Sequence, residues 1–132
     1  MYEEHMPLRT RSRWWGVTLD APDGPALGRF YAALLGWEYF PGDDGGASVA
    51  PSADAGYNLG FQTEEHYVRP VWPAAPGEPQ MSMHLELQVD DLEEAVAFAV
   101  GVGAEPAGFQ PQETVRVMLD PAGHPFCLYL DG

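Results

Sequence analysis

The chain has 132 residues, 45% hydrophobic and 20% charged, which suits one compact domain or two fused half-domains and excludes a disordered polymer. Six basic residues, all arginine, stand against 20 acidic ones for a net charge of −14; such a surface repels phosphate backbones and argues against nucleic acid as a partner. No apolar run reaches the roughly 20 residues that span a bilayer, and the start MYEEHMPLRTRSR has no apolar signal-peptide core, so a cytoplasmic protein without a membrane partner is expected.

Residues 1–12 read as a tail leading into the first strand, with Arg9, Arg11 and Arg13 as a solvated, alternating face. That strand runs to Ala21, with Trp15, Val17 and Leu19 on one side and Trp14, Gly16 and Thr18 on the other. One indole is therefore expected in the core and one on the open face. Asp23-Gly24-Pro25 is a turn with Pro25 placed as the first helical residue, and Leu27, Phe30, Tyr31, Leu34 and Leu35 form a helical stripe that Gly36 ends. Trp37–Phe40 reads as a strand, Asp43-Asp44-Gly45-Gly46 as a tight turn, and Ala47–Ala50 and Tyr57–Gln62 as two more strands. Residues 64–80 carry Pro70, Pro73, Pro76 and Pro79, too many for regular structure, and are expected to form an extended linker with Trp72 exposed near the groove mouth or an interface.

The stretch MHLELQVDDLEEAVAFAVGVGA, Met83–Ala104, holds a whole strand-turn-helix unit. Met83, Leu85, Leu87 and Val89 alternate with His84, Glu86 and Gln88, which gives a strand with one apolar and one polar face. The period changes at Asp90-Asp91, and Leu92, Ala95, Val96, Ala99 and Val100 then repeat as a helix stripe. Asp91 with Glu94 has capping-box spacing, and Gly101 and Gly103 supply the stop. Pro106–Gln110, Val115–Leu119 and Pro125–Leu130 are expected strands, the last two joined by the Asp120-Pro-Ala-Gly123 turn.

The two halves repeat at an offset of about 68 positions, Asp23 matching Asp91 and Gly36 matching Gly103. The expected class is α+β: two βαβββ modules, residues 13–63 and 81–132, pairing into one curved mixed sheet around a groove. The segments GVTLDAPDGPALGRFYAALLGWE, MHLELQVDDLEEAVAFAVGVGA and VMLDPAGHPFCLYL carry a resemblance over nearly the whole chain. Their pattern resembles the vicinal oxygen chelate superfamily, which includes glyoxalase I, bleomycin-resistance proteins and extradiol dioxygenases, and in particular its small glyoxalase-like proteins.

The resemblance implies a divalent metal in the groove, held by His, Glu or Gln on the first and fourth strands of each module. The matching positions here are Gly16, approximately Gly60, His84 and Cys127, and the two glycines have no donor. The usual metal is therefore not expected, and His84 is its one weak candidate ligand. The glycines have two readings: relief of crowding in a twisted sheet, or a pocket enlarged for an organic ligand. In the second, the lining is Trp14, Thr18, Gln62, His84, Glu86, Gln88, Cys127 and Tyr129. His84 is the candidate acid or base, with Glu86 to orient it or act as a second base, and each also has the plain reading of a polar surface side chain. Cys127, among apolar neighbours, is expected to be an unreactive thiol with a raised pKa.

Two functions are weighed from these residues. One is a protein binding a small organic ligand, aromatic or cationic, without metal. The other is a lyase, isomerase or dioxygenase using His84. A ligandless dimerising domain is the remaining option. A homodimer is expected by resemblance, since relatives often build the groove at a subunit interface.

Overall fold

The structure, a computed structural model, describes residues 14–131. The expected tail and the Arg9/Arg11/Arg13 face lie outside the described residues. The first module is β1 (Trp15–Ala21), α1 (Gly24–Leu35), β2 (Glu38–Pro41), β3 (Gly46–Ala50) and β4 (Tyr57–Thr63). The second is β5 (Leu85–Gln88), α2 (Leu92–Val102), β6 (Glu105–Pro106), β7 (Val115–Leu119) and β8 (Pro125–Tyr129). The α+β class with two βαβββ modules is what the chain folds into.

Both helices start where the sequence places a side-chain acceptor. Asp23 is extended and accepts from the Ala26 amide at 3.0 Å, and Asp91 accepts from the Glu94 amide at 3.0 Å. Gly36 ends α1 with φ 69°, a left-handed conformation that a Cβ would disfavour.

Each module forms its own four-stranded mixed sheet, in the orders β1-β4-β3-β2 and β5-β8-β7-β6. The first and fourth strands of each module run parallel, and the remaining pairs are antiparallel. The expected single curved sheet is corrected by this topology: among the described residues, no strand of one sheet pairs with a strand of the other. The modules touch through α1 and α2 instead.

One hydrophobic core serves both modules. Leu27, Phe30 and Tyr31 of α1 pack on Val49, Leu59 and Phe61 of the first sheet and on Met118, Phe126 and Leu128 of the second. Tyr31 sits between Phe61, stacked at 5.7 Å between centroids, and Phe126, edge-on at 6.1 Å. Its hydroxyl donates to Asp120 Oδ2 at 2.7 Å, and Asp120 is 1% exposed. That carboxylate also accepts from the amides of Ala122 and His124 and faces His124 Nδ1 at 2.9 Å, so its burial is compensated.

Three local expectations change. Of the expected Pro106–Gln110 strand only Pro106 lies in β6, because the Gln110 side chain takes over the ladder. Its amide nitrogen donates to the carbonyls of Ala107 and Val117, and its oxygen accepts from the Val117 amide. Trp15 is not in the core: it lies at the start of β1, beyond the cover of α1, 68% exposed and stacked on Tyr57. Residues 64–80 have no regular structure, yet they dock on the second module. Tyr67 donates to the Ala122 carbonyl, Arg69 reaches the Pro121 carbonyl and Glu105, and Trp72 is partly buried.

Candidate functional site

Alternation decides which side chains reach the open face of each sheet. Val17, Leu19, Leu59 and Phe61 turn toward α1, so their neighbours Gly16, Thr18, Asp20, Asn58, Gly60 and Gln62 lie on the other side of the same strands. Likewise Leu85, Leu87, Phe126 and Leu128 join the core, which leaves Glu86, Gln88, Cys127 and Tyr129 on the open face of the second sheet.

The register of β5 against β8 pairs Glu86 with Cys127 and Gln88 with Tyr129. His84, at the entry to β5, comes within 2.9 Å of Glu86 Oε2 through Nε2. One ligating atom each from His84, Glu86 and Cys127 lies within 4.8 Å of the others. The His84 side chain is 30% exposed and that of Glu86 56%, so both are open to an incoming group, whereas Cys127 is only 9% exposed. Burial, reinforced by the Glu86 carboxylate, pushes the Cys127 thiol above its ordinary pKa. Around it Ala107, Val117, Val115, Leu119 and Trp72 form a small apolar cluster. Trp72 is held there by donation from Nε1 to the Phe109 carbonyl at 3.2 Å.

On the first sheet, Thr18 and Gln62 line a hollow of about 440 Å³ together with Phe40, Asp43 and Asp44. Trp14 lines a neighbouring hollow of about 250 Å³ that shares Phe40 and Ser48 with it. Gln62 donates to Asp20 Oδ1 at 2.7 Å, which fixes its amide across the open face. The expected ligand set is thus divided: Trp14, Thr18 and Gln62 stand on one sheet, His84, Glu86, Gln88, Cys127 and Tyr129 on the other. Sequence reasoning missed Phe40, Asp43 and Asp44, although Asp43-Asp44 beside an aromatic residue is visible as an acidic turn.

The two glycines have a steric cause. A Cβ on Gly16 would lie 2.9 Å from the Asn58 carbonyl oxygen and collide with the Asn58 side chain. A Cβ on Gly60 would lie 2.9 Å from Thr18 Oγ1. Asn58 and Thr18 therefore occupy the room the glycines leave, and crowding relief accounts for both positions.

This geometry also tests the family's metal. Of its four matched positions, Gly16 and Gly60 offer no donor and have no space for one, so a hard ion held by nitrogen and oxygen ligands from both modules does not fit. His84 and Cys127 remain, and Glu86, outside the family's set, stands beside them.

Comparison with known proteins places this geometry. A search of curated proteins finds no match to the chain. Among solved structures it is similar to the antibiotic binding protein TnmS3 from Streptomyces sp. CB03234, with 22% identity over 97% of this chain and 100% of that one, at TM-score 0.59. It is also similar to a glyoxalase/bleomycin resistance protein from Albidiferax ferrireducens T118, with 15% identity over 90% and 98% of the two chains and TM-score 0.61. A glyoxalase-related enzyme from Fulvimarina pelagi shares 20% identity over 88% and 86%, at TM-score 0.61. At these identities the likeness is one of fold. The family model described as a glyoxalase-like domain matches residues 16–129, and the chain belongs to that family.

Proposed function

We propose that the protein binds a small organic molecule, aromatic and cationic, on the open face of its first sheet and without the family's usual metal. The observation that carries this reading is the pair of adjoining hollows that share Phe40, with Trp14 in one and Asp43 and Asp44 in the other. An indole and a phenyl ring offer stacking and cation–π surfaces, and two carboxylates favour a positive charge beside them. The net charge of −14 draws such a molecule to the protein before it docks. The fold-level likeness to an antibiotic binding protein supports the same reading.

The reading includes a cytoplasmic homodimer. Trp15, 68% exposed and stacked on Tyr57, is an apolar surface suited to a second copy. Light scattering of the purified chain tests the dimer; a monomeric mass removes this part of the reading.

Tryptophan fluorescence titration with planar organic cations, matched neutral compounds and matched anions tests the ligand class. Saturable binding of the cations is expected, with a loss of about tenfold or more in Trp14→Ala. Equal binding of the anions, or no binding by any of the three groups, would reject it.

The convergence of His84, Glu86 and Cys127 favours a second reading, a lyase, isomerase or oxygenase acting on vicinal oxygens with His84 at its centre. Its test is turnover that His84→Ala abolishes while ligand binding persists.

A further inference from the structure

We propose that the hollow between α2 and the β6–β7 edge binds a small zwitterion of the apolar amino acid type, its carboxylate on Arg116 and its ammonium on Glu93. The site lies on the helix side of the second sheet. It is separate from the hollows of the organic-ligand reading and does not rest on that reading.

The hollow encloses about 440 Å³, within the range of sites that hold small molecules. Leu92, Val96 and Ala97 line it from α2, and Pro106 and Met118 from β6 and β7. Register explains why Arg116 joins them. In β7, Arg116 pairs with Leu128 and Met118 with Phe126, both core residues, so these two side chains turn to the helix side of the sheet. Gln110 also lines the hollow, but its amide is committed to the backbone of Ala107 and Val117 and serves only as wall.

Two opposite charges border this apolar space and do not neutralise each other. Arg116 and Glu93 both line it, yet among the described residues neither takes part in a salt bridge. Of the other described arginines, Arg69 pairs with Glu105 and Arg29 lies over the Tyr39 ring. Arg116 gives only Nη1 to the protein, donating to the carbonyls of Glu113 and Val115, both at 2.9 Å, which fixes the guanidinium plane. Nε and Nη2 have no partner among the described residues, and since no buried side-chain nitrogen is left without one, they reach solvent. Those two nitrogens form the edge of the fork that a carboxylate takes up bidentately. At the other border, Glu93 has Glu94 with it in the first turn of α2 and Asp91 at the cap, a concentration of negative charge that favours an ammonium. A chain of net charge −14 repels a simple carboxylate anion, whereas a zwitterion carries no net charge and escapes that penalty.

Titration of the isotope-labelled chain by NMR tests the proposal with three matched probes: L-phenylalanine, 3-phenylpropionate without the ammonium, and phenethylamine without the carboxylate. L-phenylalanine should give saturable shifts of the Arg116 Nε–H signal and of the Glu93 and Ala97 amides. The two singly charged probes should bind at least about fivefold more weakly. Arg116→Lys keeps the charge but loses the fork, and should weaken phenylalanine by about tenfold. Glu93→Gln should weaken phenylalanine but not 3-phenylpropionate, a selectivity that a merely structural role would not produce. Ala97→Phe, at an exposed helical position, fills the hollow with both charges intact and should abolish binding. Trp14→Ala should bind phenylalanine as the parent does, which separates failure here from failure of the organic-ligand reading. The site is overturned by absence of saturable shifts in the parent, by 3-phenylpropionate binding as tightly as phenylalanine, or by unchanged binding in Ala97→Phe.

Discussion

The Tyr31 hydroxyl donates to Asp120 Oδ2 at 2.7 Å and joins two residues 89 positions apart in sequence. It fastens the helix of the first module to the turn before the last strand of the second. Tyr31→Phe removes one donor from a buried carboxylate that keeps its two amide donors and His124. A destabilisation of about 1–3 kcal/mol is expected, read from urea unfolding monitored by fluorescence. A change below about 0.5 kcal/mol would mean that the bond contributes nothing net.

Alkaline pH should weaken the fold through the same region. Burial, followed by the Asp120 charge, raises the Tyr31 phenol well above its usual pKa, and the same two causes push Tyr67 up to about 12. A phenol whose folded pKa exceeds its unfolded value contributes stability that is complete below the unfolded value, near 10, and is lost as pH rises through the folded one. Urea midpoints should therefore hold steady to about pH 10 and fall beyond it. The fall should be shallower in Tyr67→Phe. An identical profile in that variant would remove Tyr67 from the account.

The contact between Gly60 and Thr18 predicts a coupled pair. Gly60→Ala alone should cost about 1–3 kcal/mol, since its Cβ would meet Thr18 Oγ1 at 2.9 Å. Adding Thr18→Ala frees that space, so the double variant should recover at least about 0.5 kcal/mol relative to additivity. A double-mutant cycle by chemical denaturation measures the coupling. Simple additivity would show that the glycine answers to something other than Thr18.

Trp72 should govern access to the single thiol. Cys127 is 9% exposed, packed against Trp72, and its pKa is raised by burial, so labelling by a thiol reagent at neutral pH should be slow. Trp72→Ala removes one wall of the cluster, and labelling should accelerate on the order of tenfold while the fold persists. Unchanged kinetics would place the controlling barrier elsewhere on the sheet.

Much of the fold was legible because its signals are local. The alternation in Met83–Val89, the Asp91 cap and the Gly36 stop each depend on residues a few positions apart, and the structure places β5, α2 and the end of α1 there. What failed depended on partners distant in sequence. Trp15 has the same alternation as Val17, and only the reach of α1 decides that one is half-buried and the other bare. Gln110 looks like strand, yet its side chain bonds the backbone that a strand residue would have paired. The candidate site shows the same limit. His84, Glu86 and Cys127 were expected in one lining with five other residues, but that these three come within 4.8 Å of one another needs the β5–β8 register, which no periodicity encodes.

The docking of residues 64–80 has a consequence for how this chain could be divided. Tyr67, Arg69 and Trp72 hold the Ala122, Pro121 and Phe109 carbonyls, all in the second half, whereas the Glu64 amide bonds Ala21 in the first. The seam between the repeats therefore falls between Glu64 and Tyr67, well before the second copy of the motif begins. A fragment starting at Met81 would lose its indole cover over Cys127 and its clasp on the Asp120 turn. One starting at Glu65 would carry both, and would lack the α1 side chains Leu27, Phe30 and Tyr31 that fill the core the two modules share.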